Sequence, residues 1–214
     1  MTSPSTSDSE SPSRKTEIYL ARHGQSIHNE KQIIAGQLDS ELTERGMADA
    51  RSVAKVIGRS DFDVVYCSDL KRVRETAQII LDTLNIRCHL NLSPLLRELD
   101  YGLYTNRPVA EAFSVLDYKV AQQQRYPGGE SFQDLERRIT QFVDHFRSTT
   151  AGKRTLIVAH AGSIRMLLIV LDPARRQHYL TQTFGNRYLG RILLGATWEL
   201  VSYELIHDGS CESV

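Results

Sequence analysis

The stretch EIYLARHG, residues 17–24, decides how the chain is read. Residues 18–21 form a short apolar run that stops abruptly at Arg22, His23 and Gly24, the pattern of a buried strand ending in a turn. Outward from it the pattern alternates. Met47, Ala50, Val53, Ala54 and Ile57 recur at helical intervals after Thr43, a residue type favoured as an N-cap. Residues 64–67 read as a second strand, and Leu70, Val73, Ala77, Ile80, Leu81 and Leu84 line one face of a following helix. Phe132, Leu135, Ile139, Phe142, Val143 and Phe146 mark a further helix, opened by Gly128 and Gly129. Residues 155–159 read as a third strand, 164–171 as a helix buried on most sides, and runs at about 188–194 and 198–205 as closing strands. Strands alternating with helices predict an α/β fold: a three-layer α/β/α sandwich with a mostly parallel central sheet.

The 214 residues carry 26 Lys plus Arg against 26 Asp plus Glu, so the net charge is zero and a nucleic-acid partner is not expected. The longest apolar run, residues 166–171, is far short of the roughly 20 residues a spanning helix needs, so no membrane association is expected. Cys67, Cys88 and Cys211 are odd in number and widely spaced, which predicts free thiols in a reducing, cytoplasmic setting. Residues 1–15 are Ser- and Pro-rich with almost no apolar side chains, and are expected to be a disordered tail ahead of a single domain over 16–214. The acids Asp8 and Glu10 argue against a transit peptide and the missing apolar centre against a signal peptide.

In open α/β sheets ligands bind beyond the carboxyl ends of the strands. That rule directs attention to Arg22-His23-Gly24, to residues 68–72, and to His160-Ala161-Gly162. These offer two histidines, His23 and His160, guanidinium groups at Arg22 and at Arg72 or Arg74, and the N-terminus of a helix after His160. Cations and donors converging at one sheet edge suit a dianion, and phosphate is the obvious one because planar guanidinium forks match its oxygens.

Six segments now carry a resemblance: LARHGQSIHN (20–29), GQLDSELTERG (36–46), SDLKRVRETA (68–77), LRELDYG (96–102), PGGES (127–131) and VAHAG (158–162). In this order they resemble the histidine phosphatase superfamily, also called the phosphoglycerate-mutase-like family. The resemblance implies that His23 attacks phosphorus and becomes a phosphohistidine. It implies that Arg22 and Arg72 clamp the phosphoryl oxygens, that His160 donates to them, and that Asn29 adds a contact. The N–H of Ala161 joins the phosphate-binding set. Glu98 would protonate the departing alcohol and then take a proton from the attacking water, a role for which Asp100 in the same loop is the rival. Such a division of labour needs His23 neutral, with one ring nitrogen held as donor so that the other points its lone pair at phosphorus.

Two rival readings fit the same residues less well. A cysteine-dependent phosphatase needs five residues between thiolate and arginine; four separate Cys67 from Arg72 and six separate it from Arg74. Zinc on His23, His28 and His160 conflicts with the adjacent arginines, and the fixed cations leave no need for a metal or other cofactor. His28 is expected to be a partly exposed histidine without a catalytic role. The sequence departs from the family pattern at Ala159 and Ala161, with backbone strain at Ala161 if its φ were positive, and at Tyr104-Thr105-Asn106, where a Trp and a Glu-Gly pair are usual. A lid segment at about 101–128 is short, which favours water as acceptor. The chain is therefore expected to be a metal-independent phosphatase of a small phosphorylated metabolite. The alternatives are a mutase-type phosphotransferase and, further off, a non-catalytic phospho-ligand-binding module; a homodimer is an assembly the sequence leaves open.

Overall fold

The computed structural model describes residues 15–58, 61–111 and 123–209. The expected tail, save residue 15, and the middle of the expected lid (112–122) lie outside the described residues, as does Cys211. In chain order the elements are β1 (Thr16–Arg22), α1 (Ile27–Glu30), α2 (Glu44–Ile57), β2 (Val64–Cys67), α3 (Lys71–Leu84), β3 (Leu90–Leu92), α4 (Phe132–Thr150), β4 (Arg154–Ala159), α5 (Ala161–Leu171), α6 (Arg176–Thr181), β5 (Leu189–Leu194) and β6 (Leu200–His207). Short 3-10 turns occupy Pro94–Leu96, Gly102–Tyr104 and Pro173–Arg175.

The strands form one six-stranded sheet in the order β3-β2-β4-β1-β5-β6. β1, β2, β3 and β4 are mutually parallel, while β5 runs antiparallel to both β1 and β6, so the sheet is mostly parallel as expected. Alternation along the central strands sends side chains to two cores. Ile18, Leu20, Ile157 and Ala159 face a cluster with Leu135, Phe142 and Phe146 of α4 and Ile164 and Leu168 of α5. Tyr19, Ala21, Leu156 and Val158 face a second cluster with Val53 and Ile57 of α2 and Val73, Ala77 and Ile80 of α3. Both faces are covered by helices, which gives the three layers and explains why residues 18–21 read as an unbroken apolar run. Each fully buried side chain of this size contributes about 1.5–3 kcal/mol.

Local signals set the helix starts. Thr43 caps α2 by accepting from Gly46 N. The start of α4 differs from the expectation that glycines open it. Ser131 accepts from Asp134 N while Asp134 accepts from Ser131 N at 2.8 Å, a reciprocal capping box. Gly128, with φ +73°, makes the preceding turn instead. Met47 also differs: it is exposed, because it lies at the margin of the α2 arc centred on Ala50, Val53 and Ile57. Among the described residues no helix is long and apolar enough to cross a membrane.

Candidate active site

Three segments distant in sequence meet where β1, β2 and β4 end. Arg22 pairs with Ala159 and Cys67 with Val158, so the residues that follow each strand emerge side by side. His23 N donates to Ala159 O at 3.0 Å and Ser68 N to Val158 O at 3.2 Å, continuing the ladder one step beyond the sheet. Gly24 is required immediately afterwards, because a Cβ there would fall on the backbone carbonyl of Gly46. The Gly24 N–H donates to Thr76 Oγ1 at 3.1 Å, and Thr76 in turn donates to Arg72 O at 2.7 Å. The turn after β1 is thus tied to the helix that carries Arg72.

The His23 and His160 rings stand 5.1 Å apart, edge to face. His23 Nδ1 faces Gly24 O at 2.8 Å. A carbonyl can only accept, so Nδ1 carries the proton and the neutral ring holds its lone pair at Nε2. Arg72 Nε donates to that lone pair at 3.3 Å, while Arg72 Nη2 lies 3.2 Å from His160 Nδ1. Two of the three remaining guanidinium hydrogens, one on Nη1 and one on Nη2, are held by Leu38 O and Gly36 O at 2.7 and 2.8 Å. Because a guanidinium only donates, His160 presents a lone pair at Nδ1 and its Nε2–H donates to Ser68 Oγ at 3.0 Å. In this arrangement His160 needs a second proton before it can donate to an anion at Nδ1.

Arg22 donates through Nη1 to Phe184 O at 2.5 Å, and its Nε is buried without a hydrogen-bond partner among the described residues. A buried donor left unsatisfied costs about 1–3 kcal/mol, a cost that an arriving anion removes. Burial lowers the Arg72 pKa to about 10, with nearby Glu98 raising it and Arg22 lowering it; the group stays cationic at neutral pH. Burial, and then the Arg72 guanidinium, holds both imidazoles well below the ordinary histidine range, with Arg22 acting in the same direction. In the unfolded chain the same histidines bind protons near pH 6.5. Below that value the unfolded state holds more protons than the folded one, so stability rises with pH across the window and is lost as pH falls. Thermal melts are therefore expected to be level near neutrality and to decline below about pH 6.5, by up to ~1.4 kcal/mol per pH unit for each histidine. A His23→Gln, His160→Gln double variant should flatten that decline; equal slopes in parent and variant would contradict it.

The other predicted residues fall around this pair. The Glu98 carboxylate accepts from Leu99 N at 2.9 Å and from Gly162 N at 3.2 Å, against the first turn of α5. A Cβ on Gly162 would fall on Glu98 Oε1, so the glycine makes room for the carboxylate. The rival Asp100 turns away and accepts from Gly102 N. Ala161 is the first residue of α5 and is not in the positive-φ region, so the strain considered for it does not arise. Asn29 Oδ1 accepts from Ser26 N and from Asn186 Nδ2, and Asn186 also donates to His23 O at 3.0 Å, which places Asn29 one side chain from the histidine turn. Arg72 rather than Arg74 enters the site; Arg74 is exposed and lines a surface groove with Glu75, Gln78 and His89. His28 is half-buried and stands apart, bridging Ser40 Oγ and Asn106 Oδ1 at 2.8 and 3.0 Å. Asn106 adopts φ +66°, so the departure at 104–106 builds this contact to the first motif. The Cys67 thiol is buried in the sheet, which pushes its pKa up to about 12, unsuited to a thiolate nucleophile. Among the described residues no three His, Cys, Asp or Glu side chains are grouped to hold a metal ion.

Several site residues were not singled out from sequence. Ser68 and Thr76 lie inside the SDLKRVRETA block, and the carbonyls of Gly36 and Leu38 inside GQLDSELTERG, so their motifs carried a signal that side-chain chemistry alone did not. Asn186, in the loop before β5, carried none.

The sequence profile described as the histidine phosphatase superfamily, branch 1, matches residues 18–191. A relative named "Probable phosphoglycerate mutase GpmB", from Yersinia pestis (strain Pestoides F), is 34% identical over 163 residues, covering 72% of this chain and 74% of its own. Among solved structures, the α-ribazole phosphatase from Shigella flexneri superposes with a TM-score of 0.77 at 21% identity, covering 92% of this chain and 100% of that one. A mycobacterial glucosyl-3-phosphoglycerate phosphatase superposes with a TM-score of 0.75 at 24% identity, covering 90% and 97%. At these identities the structural likenesses establish the fold.

Proposed function

Because the chain belongs to the histidine phosphatase superfamily, we propose that it hydrolyses a small phosphomonoester through a phosphohistidine on His23, without a metal. The observation that carries this reading is that Arg72 touches both imidazoles at once, facing the His23 lone pair with Nε and the His160 lone pair with Nη2. A phosphoryl group between these groups meets a nucleophile and its charge-stabilising partners together. His23 Nε2 attacks phosphorus in line, forming the N–P bond as the ester P–O bond breaks. Glu98 gives its proton to the departing oxygen and takes one from the water that then cleaves N–P and releases phosphate. Arg22 and Arg72 hold the oxygens, joined by His160 once the bound dianion draws a proton onto its Nδ1, with Asn29 and the Ala161 N–H as further contacts.

The test is incubation with a panel of alkyl phosphomonoesters in the presence of a chelator. Steady release of inorganic phosphate, with an acid-labile label on the chain when the phosphoryl group is labelled, supports the proposal. No turnover and no covalent label, with phosphate esters still bound, would assign the chain to a binding module. The 34% identity to proteins named as phosphoglycerate mutases favours a second reading, phosphoryl transfer between hydroxyls. In that case label moves to a phosphoglycerate acceptor faster than to water.

A further inference from the structure

We propose that Arg138, outside the phosphate-binding set, is the positioning residue of Glu98, with Glu130 as its counter-charge. The inference rests on the reading of Glu98 as the proton donor above. Arg138 lies on α4, and three of its five guanidinium hydrogen bonds go to one loop. Nη1 donates to Leu95 O and Arg97 O at 2.7 and 2.9 Å, and Nη2 donates to Glu98 O at 3.3 Å. The opposite edge of the guanidinium is locked by Glu130, with Nε on Oε1 at 3.0 Å and Nη2 on Oε2 at 2.8 Å. Glu130 Oε2 also accepts from Asp100 N, and Glu130 N donates to Asp100 O at 2.9 Å.

Other ties reach the loop singly: Gln37 Nε2 donates to Glu98 O at 3.2 Å, and Arg97 donates to the Asp69 carboxylate at 2.8 and 2.6 Å. Residues 95–101 contribute no strand and only the end of a 3-10 turn, so their carbonyls find no partners in a sheet or helix ladder. The guanidinium fork supplies donors for three of them at once, a geometry that a single ammonium cannot reproduce. Close backbone approach completes the clamp. A Cβ on Gly129 would fall on Asp100 O, and one on Gly102 would fall on Pro127 O, so the turn at 127–131 lies flush against the loop. The salt bridge is mostly shielded from solvent, at 15% and 20% side-chain exposure, and its orienting effect is little screened. Arg138, which holds Leu95 O and Arg97 O as well, therefore fixes the backbone of Glu98 from behind together with Gln37, while Leu99 N and Gly162 N fix its carboxylate from the front.

A proton donor matters in proportion to how badly the departing oxygen needs a proton. p-Nitrophenolate leaves unaided, whereas the alkoxide of glycerol phosphate does not. The ratio of kcat/KM for glycerol phosphate to that for p-nitrophenyl phosphate, measured in one preparation, isolates proton donation and is independent of the fraction folded. Glu98→Gln is expected to lower this ratio by ~10²-fold or more. Arg138→Met should lower it at least ~10-fold, since a displacement of about 1 Å can cost ~10²-fold. Arg138→Lys, which keeps the charge beside Glu130 and loses the fork, should show a smaller fall in the same direction. A ratio lowered in Glu98→Gln and unchanged within twofold in both Arg138 variants would overturn this proposal and leave the role of Glu98 standing. A ratio unchanged in Glu98→Gln would remove the proton-donor reading and this proposal with it.

Discussion

Replacing His23 by alanine is expected to reduce phosphate release by roughly 10⁴-fold or more, the size of loss seen when a covalent nucleophile is removed from a site whose other groups remain. The residue is 3% exposed and its Nδ1 proton is committed to Gly24 O, so only Nε2 faces the phosphate-binding groups. Cys67 is no rival, because it lies in the sheet with its thiol held protonated. The variant should also give no acid-labile phosphoryl label. A phosphate-release assay on His23→Ala, with melting temperature as a folding control, checks this; activity within tenfold of the parent would exclude His23 as nucleophile.

Arg72→Gln is expected to lower kcat/KM by ~10³-fold, the lower part of the range for an arginine that stabilises a transferring phosphoryl group. Two effects combine. The phosphoryl oxygens lose a clamp, and both imidazoles lose the guanidinium that, after burial, does most to hold their pKa values down. With that cation gone, both values rise, so at a given acidic pH more of His23 is protonated and unable to attack. The acid limb of the kcat/KM profile should therefore move to higher pH. Arg72→Lys should not restore activity, because one ammonium cannot reach two imidazoles and the carbonyls of Gly36 and Leu38 together. Arg74→Gln serves as the control and should stay within twofold. Pre-steady-state kinetics across pH 5–8 on the three variants decide the matter; equal losses at positions 72 and 74 would refute the assignment.

The choice between these two arginines shows what the sequence could reveal. Arg72, Val73, Thr76, Ala77 and Ile80 share the buried side of α3, so helix phase alone places Arg72 against the sheet and Arg74 in solvent. The central strands were equally legible because both their faces are covered, leaving no polar alternation to confuse the pattern. β3 escaped notice because Leu90–Leu92 is an edge strand with an asparagine in the middle and only partial burial. α6 is six residues long and too short for periodicity to register. Asn186, the anchor of Arg22 on Phe184 O, and the clamp of Arg138 are relations between distant segments, and a single sequence carries no measure of such distances.

The pairing of β1 with β4 has a consequence for how this centre can vary. The two histidines sit one step past adjacent, in-register strand ends, so their backbones are set one ladder spacing apart, about 4.8 Å, and their rings stand 5.1 Å apart. A sheet cannot stretch that interval gradually. A one-residue slip would turn every side chain of the strand to the opposite face and exchange its two cores. The spacing of the pair thus acts as a fixed gauge cut into the backbone. New substrates can be accommodated by remaking the rim while the two rings keep their separation.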